Sequence, residues 1–161
     1  MSDHPDLDAM ARHVIDANHY MTLATIEPDG RPRVSPVYFT AARYSDFYWV
    51  SSPGARHSRN IADRPEIEIV IFDSSAPVGE SAAVYLGAHA HEVPEHEMEA
   101  LVPEAFRTTA GARAFARVEL QGRAPLRLYV AHATKCEVHV AGRHPLNPTG
   151  IDTRMPADPT D

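Results

Sequence analysis

The spacing of hydrophobic positions changes several times along the chain, and each change marks an element. Between Pro5 and Asn18, Leu7, Met10, Ala11, Val14 and Ile15 recur at intervals of three, four, seven and eight, the stripe of an amphipathic helix that covers a core. Pro5 suits a first helical position, and Asp6 and Asp8 suit the positive end of the helix dipole. Tyr20 to Ile26 reads as a strand, and Arg31 to Thr40 as a second, with Glu27-Pro28-Asp29-Gly30 between them predicting a hairpin. Pro32 and Pro36 cannot donate to a ladder, so the second strand is predicted to be an edge strand or bulged. Backbone left unpaired beside Ser35 and Val37 is then free to bond a ligand. A second turn is expected over Ala41 to Asp46. The run Phe47 to Val50 is a third strand that gives out on Ser51-Ser52-Pro53-Gly54. Arg56 to Asn60 lead into Ile61 and Ala62, a short helical segment that Pro65 stops.

Beyond Pro65, Glu66 to Phe72 alternates and then turns apolar, a strand with at least one face in the core. Asp73 to Glu80 is a loop, and Ser81 to Val93 a strand in which Gly87 marks a bulge or close contact. Pro94 to Arg107 is acidic and helical, with Met98, Leu101, Val102 and Phe106 as its apolar set. Pro103 interrupts it, so two short helices or a kink are expected. Gly111 to Arg117 reads as a further turn of helix. Ala124 to His132 and Lys135 to Ala141 read as a closing hairpin joined through Ala133-Thr134. The count is six to seven antiparallel strands with flanking helices, a mainly β (α+β) small barrel. Residues 1–141 make one domain. Residues 142–161 carry Pro145, Pro148, Pro156 and Pro159, and that tail is expected to be disordered or laid along a partner surface.

Composition narrows the function. A chain of 161 residues that is 43% hydrophobic suffices for one core. A net charge of −7 argues against a nucleic-acid or anionic-membrane partner, because either needs a broad basic surface. Any anion site is therefore local. Cys136 is the single cysteine, and no apolar run suggests a signal peptide or a membrane span, so a reducing cytoplasm is expected. Ten histidines raise metal or haem binding: His89 and His91 point to one face of a strand, and His132 and His139 lie on the closing hairpin. No three of them have zinc-like spacing, so solvated or structural histidines are expected and no metal site is assigned. No triad or paired-carboxylate motif is present.

The stretch with the most chemistry is FYWVSSPGARHSRNI, 47–61. A strand that breaks on hydroxyl and turn residues into a basic helix start points hydroxyls, backbone N–H groups and a guanidinium at one spot, a pattern suited to phosphate. A connection whose Arg56 and His57 merely face water fits the same residues.

TLATIEPDGRPRVSPVYF, FYWVSSPGARHSRNIADRPEIEIVIFD and VYLGAHAHEV, taken in order, resemble the pyridoxamine 5′-phosphate oxidase-like family of flavin-binding split β-barrels. The similarity runs from Asn18 to Val93, and the last third matches in outline. The resemblance implies a homodimer with one flavin mononucleotide (FMN) in each of two clefts between subunits. It implies that Ser35, Pro36, Val37 and Tyr38 lie along the isoalloxazine, and that Val50 and Ser51 meet the ribityl phosphate. Arg56 and His57 fall where the family usually has an Arg-Lys phosphate pair; His57 is a departure that Arg59 and Asn60, within one helical turn, would compensate. Ser81 or Ala82 falls where the family often offers a polar side chain to the ring. The family's oxidases end in an Arg-x-His strand after a Trp-rich segment. Here the end reads VHVAGRHPLNP and the only tryptophan is Trp49, so the resemblance speaks for fold and cofactor more than for vitamin B6 chemistry. The expected function is an FMN oxidoreductase that passes hydride through flavin N5 between a nicotinamide or other donor and an unknown small molecule. The alternatives are an F420-dependent reductase on the same fold, which the acidic charge weighs against, or a haem or flavin binder without turnover.

Overall fold

The computed structural model describes residues 4–80, 82–107 and 113–160. Helix α1 (Pro5–Ala17) forms as its stripe requires, burying Leu7, Ala11, Val14 and Ile15. Asp8 is buried with them, its carboxylate accepting the Asp158 N–H at 2.7 Å. Strands β1 (Tyr20–Ile26) and β2 (Pro32–Tyr38) make the expected hairpin, in register from Tyr20 opposite Tyr38 to Ile26 opposite Pro32. Gly30, at φ 85°, supplies the left-handed residue that the turn needs.

The other strands are β3 (Thr40–Ala42), β4 (Asp46–Ser51), β5 (Glu66–Phe72), β6 (Ala83–Glu92), β7 (Arg127–Val140) and β8 (Thr153–Pro156). Helices α2 (Arg56–Asp63) and α3 (Met98–Ala105) complete the fold. One antiparallel sheet runs β2-β1-β5-β6-β7-β4-β3, with β8 paired to β7. It is the antiparallel α+β split barrel that the sequence predicts, with an eighth strand. The sheet curls so that β2 approaches β4. The inner face buries Met21, Leu23, Phe47, Trp49, Ile69 and Leu86 under α1 and the Ile61 side of α2. Each such side chain contributes about 1.5–3 kcal/mol of hydrophobic stabilisation. A second core lies at the β4–β7 end, where α3 covers Tyr48, Leu128 and Val130 with Met98 and Ala105. Thr40 Oγ1 donates to the Ala105 carbonyl across that contact. Among the described residues no helix is long and apolar enough to cross a membrane.

Five local readings change. The second strand ends at Tyr38, and β3 occupies ground expected to be turn, leaving Arg43-Tyr44-Ser45 to reverse the chain. Arg43 and Tyr44 both take positive φ, 51° and 54°, which side chains with a Cβ resist. Arg43 is held by Asp46 and Glu104, and the Tyr44 hydroxyl donates to Asp16 at 3.0 Å. In the acidic segment a 3₁₀ turn (Glu95–Glu97) passes into α3 at Met98, and Pro103 sits inside α3 rather than breaking it. The helix is so short that the proline forfeits one backbone bond at its end. Of the expected turn at 111–117, Gly111 and Ala112 lie outside the described residues, and a 3₁₀ turn instead spans Arg117–Glu119.

The closing hairpin is one long strand. β7 runs straight through Ala133-Thr134, which lack the Gly, Asn or Asp that a tight turn demands. Thr134 is bulged out, since Lys135 pairs with Gly87 and Ala133 with Ala88. Its hydroxyl donates to the Gly87 carbonyl at 3.1 Å, so the irregularity expected at Gly87 falls there, with the extra residue supplied by β7. Finally, residues 142–160 fold back on the barrel. Asn147 donates to the Val140, Ala141 and Ile151 carbonyls, β8 pairs with β7, and Arg12 donates to the Pro159 carbonyl. A tail poor in apolar residues is thus held by hydrogen bonds, which a hydrophobicity pattern does not register, together with Leu146, Met155 and Ala157, which pack on the main core.

Candidate functional site

β4 ends at Ser51 because the chain turns on Pro53-Gly54, where Ser52 Oγ accepts the Gly54 N–H at 3.1 Å and the Ser52 carbonyl accepts the Ala55 N–H at 3.0 Å. α2 starts one residue later. This places His57 Nε2 2.8 Å from Ser51 Oγ. His57 is half-buried, and burial, reinforced by the charge of Arg33, lowers its pKa. The imidazole is neutral at neutral pH and shares one hydrogen with the serine hydroxyl.

Arg56 at the same helix start does not float free: its Nε is 3.5 Å from Glu27 Oε2. Arg33 holds the other oxygen, Oε1, of the same carboxylate. Glu27 therefore sits between two guanidiniums at the mouth of the β1–β2 hairpin. There a cleft of about 610 Å³ opens between Glu27, Asp29, Arg31, Arg33, Val34 and Arg56. Two fixed cations around one oxyanion form an arrangement that a phosphate can enter by displacing the carboxylate.

Arg33 is a cleft residue that the sequence reading missed. Its signal was in the alternation of β2: Arg33, Ser35 and Val37 lie opposite Thr25, Leu23 and Met21, all buried, so an arginine points to the inner face of a strand. Of the four β2 residues expected at the cofactor ring, Ser35 and Val37 share that inner face. Pro36 and Tyr38 point outward, Tyr38 stacking on His19 at 6.4 Å and meeting Tyr20 edge-on at 6.0 Å. Among the described residues β2 pairs with β1 alone, so its outer edge offers backbone groups along Ser35 to Tyr38, Pro36 contributing no N–H.

Ser51 and His57 meet at 2.8 Å, while Arg56, the neighbouring residue on α2, reaches to Glu27. Val50 points to the other side of β4 and packs on the second core, so it meets the corner through backbone alone. Asn60 is buried and donates from Nδ2 to Thr25 Oγ1 at 3.0 Å; its side chain fastens α2 to β1 and does not line the cleft. Arg59 is exposed. Ala82 packs against the main core, and Ser81 lies outside the described residues. Cys136 is half-buried, and burial pushes its thiol up to about 12, which leaves no thiolate for nucleophilic work.

The family model described as pyridoxamine 5′-phosphate oxidase matches residues 7–139. No curated protein matches the sequence. Among solved structures, a haem-binding protein from Mycobacterium smegmatis superposes with a TM-score of 0.68 at 21% identity, over 94% of this chain and 58% of that one. HutZ, the haem storage protein of Vibrio cholerae, gives 0.63 at 20% identity over 86% and 96%. A putative pyridoxamine 5′-phosphate oxidase from Listeria innocua gives 0.60 at 12% identity over 83% and 98%. At these identities the likeness is one of fold. The chain spans just over half of the mycobacterial protein's length.

Proposed function

Since the chain belongs to the pyridoxamine 5′-phosphate oxidase family, we propose that it binds FMN through the arginine cleft and serves as a small oxidoreductase. The observation that carries this reading is that Arg33 from β2 and Arg56 from α2 share Glu27 at the mouth of one cleft, with the Ser51–His57 pair adjacent in sequence to Arg56. The donor set suits a phosphate monoester: two guanidiniums for charge, a hydroxyl, and an imidazole that can take up a proton beside a dianion. Arg33 and Arg56 would hold the phosphate, and the open edge of β2 from Ser35 to Tyr38 would offer backbone groups to the ring. When bound, the flavin supplies a ring that accepts hydride at N5. The chain's part is to hold the cofactor, to meet negative charge with N–H donors, and to limit water with apolar walls. Such a role needs no titratable catalytic residue, in keeping with a sequence that offers no triad.

The same reading includes a second copy of the chain. Tyr20 and Val34 are each 65% exposed, Phe72 45% and Ile26 37%. The pairing registers put them on one outer face of β2, β1 and β5. An apolar face of this kind suits a homodimer. Pyridoxamine phosphate is not proposed as the substrate. His144 Nδ1 is occupied as acceptor for the Leu146 N–H at 3.2 Å, and Arg143-His144 form part of a turn rather than an Arg-x-His strand. A small-molecule acceptor, a nicotinamide donor and a cytoplasmic setting complete the proposal.

The test is the visible spectrum of the purified protein and the mass of what it releases on denaturation. Released FMN, or uptake of added FMN by the apoprotein, supports the reading. F420 by mass would transfer the cleft to the deazaflavin, a Soret band would favour haem, and failure to bind FMN at all would overturn it.

A further inference from the structure

Three of the ten histidines share the outer face of the β6–β7 ladder, two of them in ring contact, and none of them lines the arginine cleft. His89 and His91 are two residues apart on β6, so both leave the same face. His132 on β7 pairs with His89 across the ladder, and its ring centre is 5.4 Å from that of His91. His132 Nδ1 lies 2.7 Å from Asp46 Oδ1. Asp46 is buried and also held by Arg43, so it is a fixed acceptor. A carboxylate on Nδ1 places the ring proton there and leaves the Nε2 lone pair free, the second-sphere arrangement of metal-bound histidines.

The separation also suits chelation. An imidazole nitrogen lies about 2.0–2.1 Å from zinc and its ring centre roughly 1 Å further, so two imidazoles at a tetrahedral angle have centres about 5 Å apart. We propose that His91 and His132 chelate a borderline divalent transition-metal ion of the zinc type, with Asp46 positioning His132 and His89 as the recruitable third ligand. Among the described residues no three ligating groups already converge. His89 turns instead toward Glu66, at 3.9 Å, and is 56% exposed, so a change of rotamer brings it across. Water completes the coordination. Nothing in this site depends on the flavin reading.

The test is a titration of metal-stripped, full-length protein with Zn²⁺ by calorimetry, and with Co²⁺ by visible absorption. One ion per chain is expected. H91Q and H132Q should each weaken binding at least tenfold, H89Q less, and Asp46→Asn by about tenfold, the usual scale for an orienting carboxylate. In the unmodified protein, Zn²⁺ should shift the imidazole NMR signals of these three histidines and leave the other seven in place, a readout that needs no variant to fold. Absence of Zn²⁺ binding, or binding that survives the H91Q/H132Q double substitution, overturns the proposal. So does a set of shifted signals that excludes His91 and His132.

Discussion

Removing Arg56 tests the phosphate corner most directly. A charge-assisted hydrogen bond to phosphate contributes about 1.5–3 kcal/mol. Arg56 must first release Glu27, but that pair is half-exposed at 3.5 Å and costs about 0–1 kcal/mol to part. The net loss expected for Arg56→Ala is about 1–2 kcal/mol, roughly a 5- to 30-fold rise in Kd for FMN. Arg33→Ala should lose a similar amount, and the two losses should not add, because both guanidiniums address one carboxylate now and one phosphate later. Glu27→Gln works in the opposite direction: it removes the competing anion and should tighten FMN by up to about 1 kcal/mol. The assay is quenching of flavin fluorescence on titrating apoprotein, run in parallel with riboflavin, which has the ring and ribityl chain but no phosphate. Each arginine substitution should weaken FMN and leave riboflavin unchanged. Equal losses for both ligands would mean that the arginines act on the fold or the ring. An unchanged FMN affinity would remove the phosphate from this cleft altogether.

The remaining predictions concern protonation and stability. Burial lowers the His57 pKa, so at pH above its ordinary value of about 6.5 both folded and unfolded forms are neutral. As pH falls below that value the unfolded chain takes up a proton first, and stability should decline until the folded pKa is passed. His57→Gln should flatten that part of a stability curve measured by denaturant titration. A bound phosphate dianion reverses the shift, so FMN binding near pH 6 should take up protons, measurable by calorimetry in buffers of different ionisation enthalpy, whereas riboflavin should not. Asn60→Ala should cost about 1–3 kcal/mol, since it leaves the buried Thr25 hydroxyl without its donor at 3.0 Å; a change under 0.5 kcal/mol would show that α2 is fastened elsewhere. At Gly142 an added Cβ would lie 2.5 Å from the Gly150 carbonyl oxygen and 2.9 Å from Ile151 Cα. Gly142→Ala should therefore destabilise by about 1–3 kcal/mol, and a melting temperature equal to the parent's would contradict the close turn that leads to β8.

What was legible in the sequence follows from which forces leave a trace in hydrophobic spacing. α1, the β1–β2 hairpin, β5 and the β4–α2 corner each combine a clear period with turn or cap chemistry, and each forms where that combination places it. The turn expected over Ala41 to Asp46 forms at Arg43-Tyr44-Ser45, but its left-handed backbone is invisible because neither Arg43 nor Tyr44 favours positive φ; it is sustained by contacts to Glu104, 61 positions away, and to Asp16. Asn60 was grouped with Arg56 because they lie one helical turn apart. Yet its polar side chain is turned inward to a threonine on β1, and no pattern of apolar residues marks a polar group that the core has accepted. Arg33 is the reverse case, since its strand parity was readable but the prolines around it drew attention to the backbone.

The misreading of β7 shows how the two cores are joined. Its first half, Arg127 to His132, pairs with β4, whose Phe47 and Trp49 face the main core while Tyr48 faces the α3 side. Its second half, Glu137 to Val140, pairs with β8, and β6 runs beside both halves. Thr134 interrupts the alternation between them, so Val130 lies in one core and Val138 in the other although eight residues of strict alternation would put both on one face. The apparent hairpin was this reversal of side-chain parity, produced by a bulge rather than a turn. The consequence is mechanical. A single continuous strand carries Tyr129, stacked on Trp49 at 5.5 Å, and His132 beside Asp46, so the aromatic wall of the main core and the outer-face histidines share one backbone. Deleting Thr134 would bring Lys135 next to Ala133 as Gly87 is next to Ala88, giving a regular ladder with every side chain on its present face. The deletion is therefore expected to leave the fold and both cores in place, whereas inserting a second residue beside Thr134 would reverse the parity of one half and abolish folding; Thr134→Ala, which loses only the hydroxyl bond to Gly87, should cost about 0.5–1.5 kcal/mol.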